Sequence, residues 1–192
     1  MNVCSFALIV QNPAAPCPPE IFDRQVAVPV RFFDFERRKK AGFVIVDREL
    51  EDDIRGLFDL ILRIRFPIAS AIPISSPPFF WDDDRSMALN NTSGFNFRLK
   101  YGRPVPAAMS QIDFDDLSLH ALGQAIDINP ILNPWIKNGV IKPNGASYNP
   151  HRRGTLTPDS PVVIYLKARG WIWGGDWENP KDCQHFQKQI IY

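Results

Sequence analysis

Cysteine and histidine are scarce in this chain, with three of each among 192 residues. Cys4, Cys17 and Cys183 are an odd number without a framework spacing, so no disulfide scaffold is expected. A single Cys4–Cys17 bridge and three free thiols both stay open. Net charge is also nearly absent, at +1. That removes the electrostatic case for a nucleic-acid binder, which usually carries a basic stripe. Long apolar runs are missing as well. Phe6 to Val10 is apolar but too short to span a bilayer, and no basic residue precedes it as in a secretory signal. A soluble protein is expected, with a monomer favoured and no export route visible. Internal repeats and low-complexity tracts are lacking too.

Proline, in contrast, is plentiful at 18 residues, which argues for much irregular structure and against an all-helical fold. Residues 1–20 hold Pro13, Pro16, Pro18 and Pro19 and read as an extended arm or loop. Alternation at Val26, Val28, Val30 and Phe32 predicts a strand, Arg37 to Lys40 a solvated turn, and Gly42 to Val46 a returning strand. Leu50, Ile54, Leu57, Phe58, Ile61 and Leu62 follow a 3.6-residue period and predict a helix that Pro67 ends. Ile68 to Ile74 reads as a short buried strand, residues 75–95 as a long connection, and Phe95 to Arg98 as the start of a strand. Thr157-Pro158-Asp159 reads as a helix start, with the helix running through Val162, Val163 and Leu166 to Gly170. The expected fold class is α+β: residues 21–192 as a single domain, with a small antiparallel sheet flanked by helices.

Chemistry-bearing residues concentrate in two places. Ser118-Leu-His120-Ala-Leu-Gly123-Gln-Ala-Ile-Asp127 pairs a histidine with a carboxylate seven residues on, and Asp182-Cys-Gln-His185 adds another pair. A straight helix would separate His120 from Asp127 by about 10 Å. A straight strand would put them on opposite faces. A bend at Gly123 removes both obstacles, and Ala121 and Ala125 permit close approach. Ile126 and Ile128 would face the core. In the second cluster the three-residue spacing puts Asp182 and His185 on one side of a helix or turn. The strand-like Phe186 and Ile190 to Tyr192 allow Asp182 to sit on a loop instead. Each half has an ordinary alternative, a satisfied core histidine or a capped loop. Joined, they supply three ligands for zinc and a carboxylate to take a proton from the water that zinc activates.

Together these motifs resemble the zinc D-alanyl-D-alanine carboxypeptidase family, which includes phage endolysins that cut L-alanyl-D-glutamate bonds. Thr92-Ser-Gly-Phe-Asn-Phe-Arg98, Asp127-Ile-Asn-Pro130 and Gly170-Trp-Ile-Trp-Gly-Gly-Asp-Trp177 extend the similarity, which is strongest over residues 84–187. The resemblance implies that His120, Asp127 and His185 hold zinc at the sheet and that Asp182 is the general base. It implies that Arg98 contacts substrate and stabilises the oxyanion, and that Ser118 orients ligands or substrate. Asp instead of Glu at position 182 fits the endolysin-like branch, so two scissile bonds stand open.

Among the remaining candidates, Trp171, Trp173 and Trp177 either wall a peptide cleft, with Trp173 the chosen contact, or fill the core. Asp82 to Asp84 reads as a turn with one Asp orienting Arg98, not as a calcium loop. His151 is the spare ligand in a solvated segment, and Cys183 reads as structural. Residues 133–153 read as a flexible insertion beside the site. The function this implies is hydrolysis of peptidoglycan stem peptides, in the periplasm or outside the cell. A non-catalytic, zinc-stabilised wall-binding module is the rival.

Overall fold

A computed structural model describes residues 9–100, 105 and 114–190. Cys4 and its pairing, the first eight residues of the arm and the terminal Ile191-Tyr192 lie outside the described residues. Cys17 is a free, buried thiol. The Pro-rich segment is packed down by residue 17: Gln11 accepts from the Cys17 N–H and donates to its carbonyl, and a short helix, α1 (Pro19–Phe22), follows.

The alternating valines form β1 (Gln25–Phe33), paired antiparallel with β2 (Lys39–Asp47) in the register Val26↔Val46, Val28↔Val44, Val30↔Gly42. Asp34 organises the intervening turn by accepting from the N–H groups of Glu36 and Arg38 and from the Arg38 side chain. Across the hairpin lies α2 (Glu51–Ile64), which buries Ile54, Leu57, Phe58 and Ile61 at helical spacing against Val28, Val30 and Phe32. Each such side chain contributes roughly 1.5–3 kcal/mol by leaving water. The helix stops at Arg65, whose left-handed backbone turns its N–H onto Ile61 and Leu62, before Pro67.

Several expected elements are shorter or shifted. The strand expected over Ile68 to Ile74 is only β3 (Ser70–Ala71), parallel to β4 (Asn91–Thr92); Pro73 has no N–H with which to extend it. Between them the long connection contains α3 (Asp83–Ala88), capped by the Asp82 carboxylate on the Arg85 N–H. The acidic triplet is thus a cap and a first turn, where negative charge suits the helix dipole. Phe95 to Arg98 forms no strand; Phe95 and Phe97 are buried against Ile45 and Cys17. Residues 133–153 are not a featureless insertion. They hold a hairpin of β6 (Trp135–Lys137) and β7 (Val140–Lys142), turned at Asn138-Gly139 with both φ angles positive, as a tight two-residue hairpin requires. The last helix, α4 (Pro161–Lys167), begins three residues later than expected. Thr157 to Ser160 close a turn, and Ser160-Pro161 supply the start.

The sheet that matters most has β10 (His185–Gln187) at its centre, antiparallel to both β5 (Ala125–Asp127) and β8 (Ile172–Trp173). A two-residue turn leads into β10 from β9 (Lys181–Asp182), which pairs with β6 through Trp135↔Asp182. The result is a mixed fold of a few helices and small sheets, antiparallel except for β3 and β4. Ile126, Phe186 and Trp173 join the hairpin, α2 and α4 in one apolar cluster. No helix among the described residues is long and apolar enough to cross a membrane.

Candidate metal centre

Ser118 opens a single 3-10 turn, Leu119–Leu122, with its hydroxyl accepting from the His120 N–H at 3.3 Å. Gly123 closes that turn at φ +69°. A Cβ there would lie 2.0 Å from Gln25 Oε1 and 2.6 Å from the Asp47 nitrogen, so the bend docks on the hairpin only because it is glycine. Its carbonyl accepts from the Asp47 N–H at 2.9 Å. The chain then enters β5, where Ile126 and the following Ile128 are fully buried as expected. Asp127 arrives directly opposite His185 on β10. Opposed residues in a sheet send their side chains to one face, and the bend turns His120 toward that face.

His120, Asp127 and His185 therefore meet, all three buried. His120 Nε2 lies 3.2 Å from His185 Nδ1 and 3.3 Å from Asp127 Oδ2; His185 Nδ1 lies 3.0 Å from Asp127 Oδ1. The outer nitrogens are already committed. His120 Nδ1 is 2.7 Å from the Gly94 carbonyl, and His185 Nε2 is 3.1 Å from Gln187 Oε1. Both partners are acceptors, so each outer nitrogen carries the proton of a neutral ring and each inner nitrogen is bare. Two lone pairs and a carboxylate then converge on one point with no proton between them. Only a cation or added protons satisfy that arrangement. Donors about 2.0–2.2 Å from a tetrahedral ion stand about 3.3–3.5 Å from one another, close to the separations found here.

In the metal-free protein the titrations follow the same logic. Burial alone would raise the Asp127 carboxyl, but the two imidazoles outweigh it and hold the group far below the usual carboxylate range. For His185 burial opposes protonation, yet the hydrogen bond and charge of Asp127, with Asp182 and Gln187 assisting, leave it raised.

Asp182 sits at the end of β9, not on a loop. Its Oδ1 is buried without a hydrogen-bond partner among the described residues. Burial pushes its carboxyl up to about 7; His185 and Arg98 pull it down, while Asp127 and Asp83 push it further up. Gly174 makes room for it, since a Cβ there would be 2.5 Å from the Asp182 carbonyl oxygen and 2.9 Å from its Cβ. Arg98 is half-buried with its Nε 3.2 Å from Asp83, so one acid of the triplet does anchor it.

Trp173 does not line a cleft. It is 2 % exposed, donates its indole N–H to the Cys183 carbonyl and stacks on Phe186. The aromatic beside the centre is the half-buried Trp177, whose ring centroid is 5.6 Å from that of His185. His151 is exposed and outside the cluster, and Cys183 is a buried free thiol, raised to about 11 by burial. Two groups that orient the histidines were not anticipated. Gln187 was readable as the i+2 neighbour of His185 on a strand, whereas Gly94 acts through its backbone and left no signal.

Residues 113–188 match the family model for D-alanyl-D-alanine carboxypeptidase. That is the family suggested by the motifs, over a span that starts later than residue 84. It takes in Ser118, the three clustered side chains and Asp182, and it leaves Arg98 outside. The match supports a peptidase. No curated protein and no solved structure matches the chain.

Proposed function

We propose that the protein is a zinc-dependent peptidase that hydrolyses stem peptides of peptidoglycan, with residues 21–192 acting as one domain. The observation that carries this reading is the convergence of two bare imidazole nitrogens and a carboxylate, each imidazole fixed by an acceptor on its far side. His120, Asp127 and His185 would hold the ion, leaving a position open as catalytic sites do. Zinc bound there would supply a Lewis acid that polarises a carbonyl and lowers the pKa of water to about 7.

The other roles belong to the chain. Asp182 has a buried Oδ1 with no hydrogen-bond partner among the described residues, which suits taking a proton from the attacking water and returning it to the leaving amine. Arg98, held in an ion pair with Asp83, offers N–H groups to the developing oxyanion or a substrate carboxylate. Ser118 acts through the turn that presents His120, and Trp177 supplies an apolar wall beside His185. A wall-binding module without turnover has no use for a buried carboxyl with a free oxygen, which favours the enzyme.

The test is product analysis by mass spectrometry on a defined muropeptide with the zinc-loaded protein. Release of terminal D-alanine is expected. Cleavage between L-alanine and D-glutamate would assign the endopeptidase branch, to which Asp at position 182 is similar. No product at any stem bond would leave the binding module.

A further inference from the structure

Outside the metal centre, three arginines from separate segments face one recess. Arg37 comes from the turn between β1 and β2, Arg65 from the end of α2, and Arg153 from the loop before α4; with Phe33 they line a cavity of about 530 Å³. The convergence is built into the backbone. The Ile68 N–H bonds the Phe33 carbonyl, and the buried Asn129 amide donates to the carbonyls of both Pro67 and Gly154. These two bonds fix the segments that carry Arg65 and Arg153 to the same point.

None of the three guanidiniums has a carboxylate partner among the described residues. The acids nearest in sequence, Asp34 and Glu36, are both taken by Arg38 at 2.7 and 2.8 Å. Exposed Lys39, Lys40, Arg63 and Arg152 extend the positive surface along the same segments. In a chain of net charge +1, this is strong local segregation of charge. Unpaired like charges brought together repel, and an anion relieves them. Guanidinium forks match phosphate oxygens in pairs.

We propose that this recess binds successive phosphates of a flexible phosphodiester polymer. Its volume exceeds one phosphate group, and exposed Lys39, Lys40, Arg63 and Arg152 lie within three residues of its arginines in sequence. The Arg65 guanidinium lies 5.5 Å over the Phe33 ring, which denies a nucleobase that face for stacking. Ile64 is the one exposed large apolar side chain adjoining the three arginines in sequence among the described residues, too little to anchor the surface in a bilayer. The proposal is independent of the metal centre's activity.

The full chain is titrated with poly(glycerol phosphate) at 50 and 200 mM NaCl. Three phosphate contacts predict about a 20-fold loss of affinity across that range. Replacing Arg37, Arg65 and Arg153 together by Gln should weaken binding at least about tenfold and flatten the salt dependence, whereas the triple Lys variant should keep the salt dependence and lose less affinity than the Gln variant. Stem-peptide hydrolysis and thermal unfolding report that the variants are folded. Should the triple Gln variant fail to fold, Arg153→Glu alone, at an exposed position, should weaken binding likewise. Unchanged affinity in the folded Gln variant would overturn the proposal. So would tighter binding of oligothymidylate with the same number of phosphates, or binding to phosphatidylglycerol vesicles with none to the polymer.

Discussion

Asp182 is held where its charged form is disfavoured, and that has a consequence for stability apart from catalysis. Its folded pKa of about 7 lies above the ordinary carboxyl value, so its contribution to stability is present at low pH and is lost as pH rises through about 7. The rise from the ordinary carboxyl value to about 7 corresponds to roughly 4 kcal/mol at most, and solvent at the partly buried side chain screens it to roughly 2 kcal/mol. In metal-free protein, Asp182→Asn should therefore raise the urea-unfolding free energy by about 2 kcal/mol at pH 8 and by little at pH 5. An equal gain at both pH values would mean that burial is not what perturbs the group. Gln187 has the opposite character: it touches no proposed substrate position but fixes which nitrogen of His185 is bare. Gln187→Leu should weaken zinc binding about 10–100-fold, the usual cost of losing an outer partner of a ligand. Competition with a chromophoric chelator measures that loss, and Asp182→Asn should leave the same measurement nearly unchanged.

The turn that carries His120 depends on Gly123 for both its left-handed backbone and its fit against Gln25 and Asp47. Gly123→Ala combines a left-handed penalty of about 1–2 kcal/mol with a steric one of about 1–3 kcal/mol. A loss of roughly 3 kcal/mol is expected, seen as a lower urea midpoint at unchanged slope. A change below 1 kcal/mol would show that the bend tolerates a side chain. This bend is also where the sequence was most informative, because seven residues cannot bring His120 and Asp127 together on any straight element. Register was harder to read. In Trp171-Ile172-Trp173 the alternation was visible, but not which face points inward; Ile172 proved 52 % exposed and both tryptophans buried. The hairpin at Trp135–Lys142 escaped because three-residue strands hardly show a period, although Asn138-Gly139 marked its turn. The Gly94 carbonyl could not have been found, since a backbone acceptor 26 residues from His120 depends on how that segment lies along Ile45.

At the scale of the whole molecule, the proposed ion would join two apolar clusters. His120 stands beside Ala121 in the cluster of Ile45, Phe95 and Phe97, while Asp127 and His185 adjoin Ile126 and Phe186 in the cluster of the hairpin, α2 and α4. Without an ion, the converging lone pairs are relieved only by protonation, to which the raised His185 points. Metal should therefore stabilise the folded state directly, because the site does not exist in the unfolded chain. Free zinc at a thousand times its dissociation constant adds about 4 kcal/mol. For a protein of 192 residues, each kcal/mol moves the midpoint by about 2–4 °C, so zinc should raise it by about 8–16 °C over chelated protein. His120→Ala should abolish that shift, since it removes one ligand and leaves two that adjoin the same cluster. Asp182→Asn should retain it, because the carboxyl is proposed to act on water and not on the ion. A shift that survives in His120→Ala would put the stabilising ion elsewhere on the molecule, and with it the proposed assignment of all three ligands would fall.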